Sequence, residues 1–108
     1  MNTFDNRKKA FEAKFTQDSE LKFKLTAKRN KLIGEWAADK LKKNNIEKYV
    51  KEVRESDLEK PGDDDILEKI IIDFSQNNLV ISKEELILKF KEFEDKAKEV
   101  LILENDND

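Results

Sequence analysis

The chain of 108 residues has no cysteine and no histidine. Disulfides, thiolate chemistry and zinc fingers are thereby excluded, together with the side chain most used for proton transfer near neutral pH. Two glycines and one proline are too few for a glycine-rich phosphate loop or a dinucleotide fingerprint, and too few for many short strands divided by turns. No apolar run approaches the roughly 20 residues that a membrane-spanning helix needs, and the N-terminus lacks the apolar core of a signal peptide. A cytoplasmic protein without direct membrane insertion is expected. Carboxylate pairs such as Glu84 with Glu85, or Asp57 with Glu59, have no spacing or nearby base that marks them for acid and base work. The chain therefore reads as a non-enzyme.

What is present is charge and helical periodicity. Charged residues make up 44% and hydrophobic residues 37%, a balance that favours helices with solvated faces in one all-α domain with a modest core. The net charge of −3 hides an asymmetry: residues 1–54 hold 15 Lys and Arg against 8 Asp and Glu, while residues 55–108 hold 7 against 17. A basic N-terminal half suits an acidic protein surface or nucleic acid.

The opening run FDNRKKAFEAKF sets Phe4, Phe11 and Phe15 on one side of a charged helix. Asp18 and Lys22 would continue that seam and are charged, so it stops. A second seam in another phase runs through Leu21, Leu25, Leu32 and Trp36, with Asp18 or Ser19 as the cap of its helix. Gly34 inside this helix suggests close approach of a neighbour. The pattern Ile46, Tyr49, Val50, Val53 predicts a short helix that ends before Pro61 and Gly62, and a third helix opens at Asp63 with Ile66, Leu67, Ile70, Ile71 and Phe74 on its apolar face. Ser82 and Glu85 form a capping box for a fourth, carrying Leu86, Phe90, Phe93, Ala97 and Val100. The expected architecture is a small four-helix bundle over residues 19–103, with helices about 19–42, 45–56, 63–77 and 83–103. It is preceded by a flexible segment, 1–18, and followed by an acidic tail, 104–108, left disordered. The core residues expected to carry it are Leu21, Leu25, Leu32, Trp36, Phe74, Phe90 and Phe93.

Three features invite a functional reading. Asp63, Asp64 and Asp65 diverge by about 100° per residue on a helix and cannot converge on one ion, so they read as N-terminal capping and no metal is expected. The basic run at residues 22–31, with Phe23 off the main stripe, could track nucleic acid; packing of Phe23 on a neighbour, with solvated lysines, is preferred and no nucleic acid is expected. The N-terminal seam is either a fifth packed element or a helix kept for a groove on another protein.

The run from Phe4 to Leu41, with YVKEVRESDLEKPGDDDILEKIIIDF after it, resembles the ζ subunit family of alphaproteobacterial F-type ATP synthases over nearly the whole chain. Its most specific parts are Phe4-Asp5 followed by Arg7, the blocks AFEAKF and RNKLIGEWAA, and Pro61-Gly62-Asp63. The resemblance implies a four-helix inhibitor of ATP hydrolysis whose N-terminal segment enters the catalytic head and blocks rotation in the hydrolytic direction. Carried onto this chain, residues 1–18 would be the inhibitory element, with Phe4, Phe11 and Phe15 as anchors and Arg7, Lys8, Lys9 and Lys14 as charge contacts. It further implies a cytoplasmic protein, associated with the membrane through the synthase, and weak ADP or ATP binding for which no residues are assigned; beyond that no cofactor is expected. The free protein is expected to be a monomer. Two alternatives stay open: an adenine-nucleotide-binding regulator, and a nucleic-acid module using residues 22–31.

Overall fold

A computed structural model describes the backbone of residues 3–57 and 62–106, and their side chains apart from Thr3, Phe4, Asp5, Arg7, Lys8, Thr16, Asn105 and Asp106. Among the described residues every regular element is a helix: α1 Thr3–Gln17, α2 Ser19–Lys40, α3 Ile46–Ser56, α4 Asp64–Gln76 and α5 Lys83–Asp106. All-α is the fold class, but with five helices where four and a flexible segment are expected. Of the expected acidic tail, residues 104–106 belong to α5, and Asn107 and Asp108 lie outside the described residues, as does Pro61.

Local chemistry sets the boundaries. Asp18 lies in the extended region and accepts from the backbone N–H groups of Glu20 and Leu21, while its own N–H closes the last turn of α1 on Lys14. One residue thus ends one helix and caps the next. Asn45 caps α3 through Lys48 N–H, and Ser82 Oγ accepts from Glu85 N–H at the start of α5. Two helices end in the same closed turn. Lys42 and Asn78 take positive φ values of 55° and 61°, and the following N–H groups, of Lys43 and Leu79, reach back to the carbonyls of Ala38 and Phe74. Asn tolerates that backbone; Lys does so at a cost.

The long helices α2 and α5 run antiparallel as a common spine and carry two separate cores. The larger one draws Ile33, Ala37 and Ala38 from α2, with Leu41 just beyond it, and adds Tyr49 and Val53 of α3, Ile66, Leu67, Ile70 and Phe74 of α4, and Leu86 and Phe90 of α5. Trp36 and Phe93 pack against it half-buried, with Trp36 ring centroids 5.7 Å from Phe74 and 6.2 Å from Phe93. Gly34 explains how closely α2 and α3 approach, since a Cβ there would lie 3.1 Å from the Val50 backbone Cα. The smaller core lies at the other end of the spine and joins Phe11 and Phe15 of α1 to Leu25, Ala97 and Ile102, with Leu21, Leu32 and Leu101 at its edge. The second seam is therefore divided: Trp36 serves the larger core, and Leu21, Leu25 and Leu32 serve the one that holds α1.

Candidate functional site

The helix α1 is amphipathic in a specific sense: two adjacent turns each present one phenylalanine on the same side. Phe11 and Phe15 are 8% and 3% exposed, and their rings meet at 6.1 Å between centroids. Each turn is otherwise charged or small. Lys14 lies over the Phe11 ring at 5.0 Å, a cation–π contact that leaves its ammonium on the outer surface. Lys9, Ala10, Glu12 and Gln17 face solvent. Phe4, Arg7 and Lys8, the other expected partner contacts, belong to α1, but their side chains lie outside those described.

The seat that receives α1 is made from both spine helices. Leu25 of α2 and Ala97 and Ile102 of α5 form one core with the Phe pair, Ala97 and Ile102 with no exposed surface. Phe11 and Phe15 are packed against the body where a flexible segment is expected. Periodicity showed the seam and gave no partner for it, and the partner is the N-terminal half of the second seam, reached because the chain bends back at Asp18.

Beside this seat the basic run behaves differently from the preferred reading. Phe23 is 75% exposed and packs on no core, while Arg29 and Asn30, which stand among the lysines in the chain, are buried. Arg29 grips Asp63 with two nitrogens, at 2.7 and 3.2 Å, donates twice to Asn30 Oδ1, and stacks over Phe90 at 5.3 Å. Asn30 in turn donates to Asp57 at 3.1 Å. A buried, bidentate guanidinium with an aromatic floor is a strong and geometrically exacting pair. It ties α2 to both ends of the connection between α3 and α4. For this reason Asp63 makes no side-chain cap bond at the start of α4, so of the three aspartates the first serves the clamp. The Asp57 carboxyl is raised above the ordinary range, first by burial and further by Asp63 and Asp65, against the lowering influence of Asn30 and Arg29. Sequence periodicity does not reveal a pair 34 residues apart; the only hint was an Arg-Asn pair at positions that a helix wheel places toward the core.

A second polar group holds α3 to α4. Tyr49 Oη donates to Asp73 at 2.8 Å, and Lys69 joins the same carboxylate at 3.1 Å. Burial, then the bond to Asp73, pushes the Tyr49 hydroxyl well above the usual tyrosine range, so it is a fixed donor. None of these groups assembles a nucleophile with a base. Their arrangement fixes a scaffold and presents a helix.

The comparison against known families covers nearly the whole chain. The description "ATPase inhibitor subunit zeta" matches residues 1–100. No curated protein matches the chain. Among the described residues, no helix is long and apolar enough to cross a membrane. With 100 of its residues matched by the model of one family, the chain belongs to the ATPase inhibitor subunit zeta family.

Proposed function

We propose that this chain stops ATP hydrolysis by the F-type ATP synthase by inserting α1 into the catalytic head, where it blocks rotation in the hydrolytic direction. The observation that carries this reading is the way α1 is held: a single residue, Asp18, joins it to α2, and among its described side chains Phe11 and Phe15 are the ones buried against the body. Such a helix can leave as a unit without disturbing the larger core. Its width also suits the task, because a bare helix is about 10–12 Å across, whereas the whole molecule measures 28 × 26 Å across its long axis. The helix enters and the body behind it stops at the surface.

Release has an energetic consequence. Burying two Phe side chains contributes about 3–6 kcal/mol as an upper value, so the docked form outnumbers the released one by at most about a hundredfold to ten-thousandfold. A released helix of 15 residues is marginal in water. The head must therefore bury the same phenylalanines again, and the charges of α1 and of the basic half steer it toward an acidic surface. In this reading the free chain is a cytoplasmic monomer that reaches the membrane only through the synthase.

The test is ATP hydrolysis by the purified cognate catalytic head with the full chain and with a chain lacking residues 1–18. Inhibition is expected with the first, weaker at high salt, and none with the second. Full inhibition by the shortened chain would rule the mechanism out.

A further inference from the structure

The spine helix α2 is covered unevenly. At 1.5 Å per residue its 22 residues run about 33 Å, while the 11 residues of α3 cover about 16 Å of it. The covered part is the face of Asn30, Gly34 and Ala38. One and two turns before Asn30, on the same side of the helix, stand Ala27 and Phe23, and Phe23 is the large aromatic left 75% exposed. Two open clefts, of about 750 and 560 Å³, flank it and share Phe23, Ala27 and Arg54 in their walls.

Charge decides what fits there. The walls of the two clefts carry five cations, Lys22, Lys24, Lys28, Lys31 and Arg54, against two carboxylates, Asp57 and Glu104. The surface is thus basic on a chain whose net charge is −3. Lys28 is answered by Glu104 at 3.4 Å and Lys24 by Glu20 at 3.5 Å, while among the described residues no ion pair engages Lys22, Lys31 or Arg54. A nucleic-acid backbone would meet Glu20, Asp57 and Glu104 on the same face, which breaks the continuous cationic track that phosphates favour. An aromatic in an apolar trough with three available cations at its edges is instead the arrangement of a protein interface, an apolar anchor inside a charged rim.

We propose that this face, centred on Phe23 and edged by Lys22, Lys31 and Arg54, is a docking surface for an acidic helix of a partner protein, laid along α2 where α3 ends. The helix would place an apolar side chain on Phe23 and carboxylates toward Lys31 and Arg54. Phe11 of α1 and Leu101 also stand in the wall of the larger cleft, so the surface belongs to the chain with α1 docked; the proposal does not depend on the inhibitor reading.

The experiment is a titration of the isotope-labelled full chain with a synthetic helical peptide of glutamate and alanine bearing one leucine, followed by amide shifts. Saturable shifts confined to residues 22–31 and the end of α3 are expected, with binding weakened about tenfold by Phe23→Ser and again by Lys31→Glu or Arg54→Glu. Unchanged thermal unfolding of Phe23→Ser, whose side chain supports no core, separates this from loss of fold. The proposal is overturned by an absence of saturable shifts, by shifts indifferent to Phe23→Ser, or by a single-stranded oligonucleotide binding the same amides more tightly than the peptide. Self-association of the chain that Phe23→Ser abolishes would overturn it as well, in favour of a second copy.

Discussion

The two cores of this molecule are built from the same spine and differ in how they can open. The larger one takes side chains from four helices and is fixed by the Arg29 clamp, the Tyr49–Asp73 pair and two closed helix ends. Nothing in it can leave alone. The smaller one depends on Phe11 and Phe15 from a helix joined to the rest by Asp18. The polar clamps and closed helix ends thus lie at one end of the spine, and in the proposed reading the helix at the other end is the element that changes partners. Local opening of low-stability units is a general property of proteins; the proposed reading sets the boundary of such a unit at a single capping residue, Asp18.

The largest effect that would break this comparison is a matched pair of truncations. Ile70→Ala removes a side chain buried in the larger core and should cost about 2–5 kcal/mol of global stability. Phe15→Ala, although it deletes a larger side chain, should instead free α1: its amides lose exchange protection while the midpoint of global unfolding moves less than in Ile70→Ala. Equal global losses would mean that the two cores are one cooperative unit.

A smaller effect concerns the clamp. Because the Asp57 carboxyl is raised in the folded chain, its charged form is the unfavourable one there; the associated stability is fully present below the ordinary carboxylate range and is lost as pH rises through the raised value. Asp57→Asn keeps an acceptor for Asn30 and removes that charge. Thermal unfolding should shift upward at neutral pH, and the gain should fade toward about pH 3, where both forms are uncharged. A gain that persisted at low pH would contradict the assignment to charge burial.

Smallest is Lys42→Gly. The φ of 55° at Lys42 is strained for a side chain with a Cβ, and glycine removes the strain while adding freedom to the unfolded chain. The balance should stabilise by about 0.5–1 kcal/mol, read by denaturant midpoint, and should act on the larger core without altering exchange in α1.

Much of this architecture was legible in the sequence. The break at Asp18, the Ser82 cap and the close approach at Gly34 all follow from local chemistry, which side chains within a few residues decide. The placement of Phe11 and Phe15 was not, because periodicity defines a face and not what covers it. Arg29 and Asn30 escaped for a related reason: their partners lie beyond the helix, and in the chain they sit among solvated lysines. Ile102 was hidden between Leu101 and Leu103, three apolar neighbours among which only the packing of α1 chooses. Phe23 was misread in the opposite direction, as an aromatic expected to find a neighbour.

The central claim is that α1 inhibits only after leaving its seat, and weakening the seat without touching α1 tests it most directly. Leu101 lies at the edge of that seat, so Leu101→Ala should ease release and leave the larger core intact. The measurement is the concentration of full chain that halves ATP hydrolysis by the cognate head. Several-fold less Leu101→Ala than unaltered protein is predicted to suffice, since the docked state competes with insertion. A requirement for more of it would contradict the account, showing that the docked arrangement is itself the inhibitory form.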